Sequence, residues 1–332
     1  MSALQPYLLV GDGSVADGMK ALVTGGAGFI GSHMAELLLS EGWEVAVLDD
    51  MSSGSYDNLA RLSIYPGFSF YRGSVCDADM VKASVCGCSA VFHFAAMVAV
   101  PLSIERPEAC WSVNVAGFKN VETALHGSGI PLLYASSAAV YGDCGGGTPN
   151  MEDGAVAPMS PYAWSKLVNE LQAEFAWRVY GVKTIGFRFF NVYGPRQNPN
   201  GAYASLIPAV CSRLILGERP VVYGDGGQTR DLIFVKDAVR LMYEALKKCN
   251  RCSGMVFNAA SGRSYSVLDI VKTIINISGI QTDIEFLPER PGDIRYSAAN
   301  TDRLHRYLGN FNFMAIDKGL AETVKWYISG HC

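Results

Sequence analysis

The stretch Thr24-Gly25-Gly26-Ala27-Gly28-Phe29-Ile30-Gly31 constrains the fold of this chain more than any other. It stands between a short apolar run, Lys20–Thr24, and a segment in which Ile30, Met34, Leu37 and Leu38 share one helical face until Gly42 ends it. A strand that passes over three spaced glycines straight into a helix opens a βαβ unit. Gly25 suits the tight turn, Gly28 a close approach to the backbone, and Gly31 close packing of helix on strand. Further strand-like runs follow at Glu44–Leu48, Phe68–Tyr71, Ala90–Phe94, Leu132–Ser136 and Thr184–Asn191, with a helix expected around Cys110–Leu125. Strands alternating with helices predict a parallel sheet.

With 332 residues, 49% of them hydrophobic and 17% charged, the chain can bury a substantial core. Gly142–Ser160 reads as a mobile loop. Ser160-Pro161 then opens a long helix, serine as N-cap and proline in the first turn. Beyond it the rhythm loosens into short strands near Val221, Leu232, Met255 and Ile284 and helices near Tyr203–Leu216, Asp237–Lys247 and Val267–Ile277. The expected architecture is α/β: a Rossmann-type doubly wound parallel sheet over residues 19–190, and a smaller mixed α/β substrate lobe over 191–332. Some segments of that lobe should return to the first domain. Residues 1–18 read as a loose extension, with a short strand through Tyr7–Val10 as the alternative.

A net charge of -4 without a basic block argues against nucleic acid as partner. The longest apolar stretch, Ala90–Leu102, holds His93 and Pro101 and is too short to span a bilayer. The first residues lack the marks of a signal peptide, and nine scattered cysteines suit a reducing, cytoplasmic setting. Cys86/Cys88 and Cys249/Cys252 lie far apart without a histidine beside either, so no metal is expected.

The glycine turn predicts a dinucleotide site, with the first-turn N–H groups of Phe29 and Ile30 facing the phosphates. Asp49 ends the next strand 18 residues after Gly31, where a carboxylate accepts from ribose hydroxyls and repels a 2′-phosphate, favouring NAD. Asp50 reads as a solvated turn residue or a second ribose contact. Tyr162 and Lys166 lie four apart on one face of the long helix, so the lysine cation, with the positive nicotinamide of NAD nearby, is expected to favour the phenolate. Ser137, at a strand end, can bridge a substrate hydroxyl and Tyr162.

On TGGAGFIGSH (24–33), HFAA (93–96), NVAG (114–117), SSAAVYG (136–142), SPYAWSK (160–166), RFFNVYGPRQ (188–197), GDGGQTRDLIFV (224–235) and ERPGDIRYS (289–297), the chain resembles the extended short-chain dehydrogenase/reductase family, and within it the UDP-hexose 4-epimerases. The resemblance runs from about Met19 to the C-terminus. It implies NAD held by Gly25, Gly28, Gly31 and Asp49, with Phe94, Ala95, Ala96 and Asn114 along the cofactor groove. It implies a catalytic set of Ser137, Tyr162 and Lys166, with Lys166 also on the nicotinamide ribose. Asn191 would contact the substrate near its diphosphate. Ala202, Tyr203, Leu206 and Tyr223 would surround the uracil, and Arg230 and Arg290 would clamp the diphosphate. A homodimer built on the Tyr162 helix is implied as well. Two positions depart from the family pattern: Ser74 stands where many relatives place an adenine-contacting aspartate, with Asp77 reading as a helix cap, and Asn300 stands where aspartate is common.

The related 4,6-dehydratases resemble this chain but carry carboxylates directly after the catalytic Ser/Thr, where Ala138 and Ala139 stand here. Without that acid/base the resemblance implies epimerisation at carbon 4 through a transient 4-keto sugar. Ser297, small where a bulky tyrosine would exclude an N-acetyl group, points to UDP-GlcNAc/UDP-GalNAc, with UDP-Glc/UDP-Gal open as a second pair. The alternatives are a UDP-glucuronate 4-epimerase or another nucleotide-sugar epimerase/dehydratase, and, from another class, a non-catalytic NAD(H)-binding protein.

Overall fold

The computed structural model describes residues 18–143, 148–199, 205–290 and 294–330. Its strands are β1 (Lys20–Thr24), β2 (Glu44–Asp49), β3 (Phe68–Arg72), β4 (Ala90–His93), β5 (Leu132–Ser137), β6 (Thr184–Phe189), β7 (Asn191–Tyr193), β8 (Val221–Tyr223), β9 (Thr229–Phe234), β10 (Met255–Ala259), β11 (Ser264–Ser266) and β12 (Glu285–Leu287). Seven of them form one parallel sheet in the order β10-β6-β5-β4-β1-β2-β3. The order reverses between β1 and β4, so the loops leaving those two strands part company and open a crevice, the ligand-binding place of such sheets.

Strand alternation divides the core between the two faces. Ala21 and Val23 of β1 join Met34 and Leu38 of the Phe29–Ser40 helix and Val239 and Met242 of the Val235–Lys247 helix. Leu22 turns the other way, into a core with Val81, Phe118, Val121, Ala173 and Ala176. A three-stranded sheet (β11-β9-β7) and a two-stranded one (β12-β8) make up the second lobe. Its own core holds Ile207, Leu214, Val222, Phe234, Ile274, Leu320 and Tyr327.

Four expectations are corrected. The strand read as Thr184–Asn191 ends at Phe189; the chain bends at Phe190, whose N–H donates to Ala259 O, and resumes as β7, which leaves the main sheet to pair with β9. The helix read as Cys110–Leu125 begins at Pro107 and widens into a π turn over Ser112–Ala116 before closing as Gly117–Ala124. The cause lies on the neighbouring Pro161–Tyr180 helix: Asn169 Nδ2 donates to Asn114 O (2.7 Å) and Gln172 Nε2 to Val115 O (3.5 Å), drawing two carbonyls out of the ladder. The loop read as mobile is tied down where it is described. Asn150 exchanges backbone bonds with Ala298 and Asn300, Glu152 O accepts from Arg188, and a Glu152 carboxylate oxygen accepts from Asn258 N. The helix read as starting near Tyr203 spans Leu206–Ile215. Tyr7–Val10 and Tyr203 lie outside the described residues.

Candidate functional site

The crevice at the strand-order reversal is built largely from backbone. Gly25 has φ +69°, and a Cβ there would stand 2.6 Å from Ala95 N, because the chain leaving β4 crosses directly over it. A Cβ on Gly31 would stand 2.2 Å from Gly25 O. Gly28 is the N-cap of the Phe29–Ser40 helix; it offers no capping side chain, and no acidic residue stands in the first turn. The N–H groups of a helix start that lacks such partners form an anion site. The loop is held from outside: Ala27 O accepts from Ser55 N (3.0 Å) and Asn58 Nδ2 (2.9 Å), and Ala27 N donates to Asp49 Oδ2 (3.0 Å).

Asp49 is buried at the end of β2, its other oxygen accepting from Met51 N at 2.9 Å. Burial pushes its pKa up, against the pull of those two N–H groups. Asp50 is exposed and closes a turn by accepting from Ser52 N. Phe94, Ala95 and Ala96 are half-buried opposite the glycine loop; Phe94 N donates to Thr24 O (3.0 Å) and Ala95 N to Thr24 Oγ1 (3.3 Å). The same hydroxyl meets His93 Nδ1 at 2.8 Å, and burial drives His93 down to about 3, so the ring is neutral and structural. Asp77 caps the Ala78–Val85 helix through Asp79 N and Met80 N, and Ser74 Oγ accepts from Cys76 N.

The structure brings Ser137, Tyr162 and Lys166 together. Ser137 ends β5 and caps the Ala138–Tyr141 turn by accepting from Ala139 N at 3.1 Å. Ser160 caps the long helix through Ala163 N (3.1 Å), with Pro161 behind it. The Ser137 hydroxyl lies near enough to the phenol of Tyr162, two residues on, to pull its pKa down. Lys166 Nζ donates to Ala135 O at 2.9 Å and stands 5.9 Å from the Tyr162 ring centre. Burial lowers Lys166 to about 8 and raises Tyr162, and the nearby Ser137 hydroxyl only partly offsets the rise. Burial thus penalises the charged form of both groups in the protein alone, and the expected preference for the phenolate rests on the positive nicotinamide as well as on the lysine.

Three further residues support this set, of which Ser103 carries no local sequence signal. Ser103 Oγ accepts from Tyr162 N at 3.2 Å, satisfying a first-turn donor that Ser160 does not reach. Asn114 is buried; its side chain bonds Met97 N (2.7 Å), Met97 O (3.0 Å) and Ser165 Oγ (2.9 Å), so it fastens the segment after β4 to the Pro161–Tyr180 helix. Arg188 is paired in two-point fashion with Glu170 behind β5 and β6 (2.9 and 2.7 Å).

On the second lobe, Asn191 Nδ2 donates to Asp231 O at 3.2 Å. Arg230, on β9, donates through Nη1 to Thr229 O (2.8 Å) and Ile294 O (2.7 Å). The Arg290 guanidinium stacks 3.7 Å from the Tyr223 ring centre, so two residues read from separate motifs are in contact. Ser297 is half-buried and laid beside β9, its N–H donating to Thr229 O (3.2 Å) and its carbonyl accepting from Asp231 N (3.0 Å). Leu206 opens its helix, packed against the second-lobe core. Asn300 closes a turn by accepting from Asp302 N at 2.9 Å. Ala202, Tyr203, Gly292 and Asp293 lie outside the described residues. Among the described residues no helix is long and apolar enough to cross a membrane.

Comparison with known proteins agrees with this geometry. The family model described as NAD dependent epimerase/dehydratase family matches residues 21–260. The UDP-glucose 4-epimerase of Mycolicibacterium smegmatis is 33% identical over 317 residues, covering 93% of this chain and 98% of that one. A dTDP-glucose 4,6-dehydratase of Streptomyces niveus is 35% identical over 321 residues, covering 93% of each. The solved UDP-N-acetylglucosamine 4-epimerase of Methanobrevibacter ruminantium, in complex with UDP-N-acetylmuramic acid, has a TM-score of 0.88 at 33% identity and covers 95% of this chain and 99% of that one. The glycine cradle that a Cβ would fill and the open helix start beside it suit a dinucleotide, and the chain belongs to the NAD dependent epimerase/dehydratase family, with NAD as its cofactor.

Proposed function

We propose that this enzyme interconverts UDP-hexoses at sugar carbon 4, with UDP-GlcNAc/UDP-GalNAc as the principal pair and UDP-Glc/UDP-Gal as the second. The observation that carries the reading is the pairing of an assembled Ser137–Tyr162–Lys166 set with Ala138 and Ala139 directly after Ser137, where a dehydration would need a carboxyl group. NAD, held by Gly25, Gly28, Gly31, Asp49 and Lys166, supplies the hydride acceptor and donor at carbon 4. Once its own proton has left, which burial opposes and the positive nicotinamide of bound NAD would favour, Tyr162 can take the proton of a sugar hydroxyl set beside Ser137. The burial that resists ionisation of the phenol also makes its anion a strong base. Arg230 and Arg290 hold the diphosphate, Tyr223, Leu206, Ala202 and Tyr203 surround the uracil, and Asn191 meets the substrate beside them. Anchored there, the sugar is free to turn over between the two halves of the reaction. The small Ser297 side chain leaves room for an N-acetyl group.

A homodimer accords with the same reading. Trp164, Leu171 and Phe175, spaced by seven and four residues on the Pro161–Tyr180 helix, are 50%, 58% and 47% exposed, and Ile104 on the adjacent Val100–Glu105 helix is 61% exposed. An apolar stripe of this kind across two neighbouring helices suits a helical interface between two copies.

The test is to incubate purified protein separately with UDP-GlcNAc and UDP-Glc, without added NAD, and to follow the anomeric protons by NMR. Formation of UDP-GalNAc is the expected result. Conversion of UDP-Glc alone removes the Ser297 argument and keeps the epimerase. Inertness of both substrates, with NAD then added, overturns the 4-epimerase of neutral UDP-hexoses and directs attention to UDP-glucuronate.

A further inference from the structure

Two motifs of the second lobe contain residues that the proposed reaction does not use: Asp225 and Gly227 in one, Arg295 in the other. They meet face to face. Arg295 Nη1 and Nη2 donate to Asp225 Oδ1 and Oδ2 at 2.7 and 2.8 Å, a two-point pair between exposed side chains. Asp225 Oδ1 also accepts from Gly227 N at 2.8 Å, which sets the turn after β8. A Cβ on Gly227 would stand 2.9 Å from Arg295 Nη2, so the glycine leaves the space in which the guanidinium lies. On either side of Arg295 the chain is stitched to β9: Thr229 N donates to Arg295 O (2.9 Å), Ser297 N to Thr229 O (3.2 Å), and Arg230 Nη1 to Ile294 O (2.7 Å).

We propose that Asp225 and Arg295 are a positioning pair that holds segment 294–297 in register against β9, and so sets Arg230 for the diphosphate and Ser297 beside the sugar. Both ends of the guanidinium are committed to Asp225, so the pair acts on the nucleotide through its neighbours. An exposed pair adds little to global stability, but this one fixes a carbonyl on which a ligand-binding arginine rests. The inference depends on reading Arg230 as the diphosphate ligand.

The experiment measures UDP binding to the NAD-loaded protein by calorimetry, with kcat and KM for UDP-GlcNAc and UDP-Glc alongside. Asp225→Asn keeps the acceptor for Gly227 N and removes the charge; Arg295→Gln removes the partner. Each is expected to raise the Kd for UDP by about fivefold, the scale of coupling through remote contacts, with KM following and kcat at saturation held. The double variant should be no weaker than either single one, because both remove the same interaction. Unchanged UDP binding in Asp225→Asn overturns the proposal. A loss confined to Arg295→Gln points to direct contact with phosphate and overturns it too. Arg230→Ala tests the underlying reading separately: if it leaves UDP binding intact, the diphosphate role of Arg230 falls and the pair's role falls with it.

Discussion

The two sides of the crevice are made of different material. The cofactor side is backbone: glycines with no room for a Cβ, a helix start without a capping side chain, and a loop whose Ala27 carbonyl is held from behind by Asn58 and Ser55 and whose Ala27 N–H is held by Asp49. The side proposed for the nucleotide sugar is long cationic side chains, each resting on something else in the second lobe: Arg230 on two carbonyls, Arg290 on Tyr223, Arg295 on Asp225. A backbone site tolerates no added atoms and presents one shape. A side-chain site can be altered one contact at a time, which is how a shared scaffold comes to serve different sugars.

That contrast can be broken most severely at Gly31. Gly31→Ala drives a methyl group into Gly25 O, and the loss should reach about 3 kcal/mol or more, the upper range of overpacking; thermal unfolding and the absorbance of retained NAD measure it together. Tyr162→Phe should keep fold and NAD and lower kcat by roughly a thousandfold, within the range for removal of a general base. On the adaptable side, Ser297→Tyr should depress turnover of the N-acetylated pair by about tenfold to a hundredfold relative to UDP-Glc, the discrimination a pocket wall can supply. Equal loss on both pairs in competition assays would remove Ser297 from sugar choice.

The smallest expected effect concerns Lys166. Its folded pKa, about 8, lies below that of a free lysine, so between roughly pH 8 and pH 10.5 the unfolded chain binds the additional proton. Its contribution to stability is present above the unfolded pKa and is lost as pH falls through about 8. Unfolding midpoints in urea should rise gently with pH across that window, and Lys166→Met should flatten the rise.

The same contrast explains what could be read from the sequence. Backbone chemistry leaves marks in one dimension: the three glycines, Ser160-Pro161 and the Tyr162/Lys166 spacing each follow from local rules, and the structure places them in the expected elements. Contacts between distant segments leave none. The π turn at Ser112–Ala116 requires Asn169 and Gln172 from another helix, and the bond from Tyr162 N requires Ser103 from a short helix nearly 60 residues earlier. The bend at Phe190 depends on β10, supplied much later in the chain. Burial was equally hidden: a lysine four residues from a tyrosine reads as a cation, whereas enclosed beside β5 it loses much of its basicity.

The placement of β10 also bears on how the chain reaches this state. Phe189 pairs with Ala259, so the outer edge of β6 waits for a strand that emerges some 70 residues later, after most of the second lobe. Until that strand docks, a growing chain carries an open parallel edge with Ile185, Phe187 and Phe189 near it, the kind of edge that templates aggregation. Parallel closure over so long a loop is slow. Refolding from denaturant should therefore show a late phase in which β10 amides gain protection from hydrogen exchange after those of β1 and β4, and yield should fall with protein concentration during that interval.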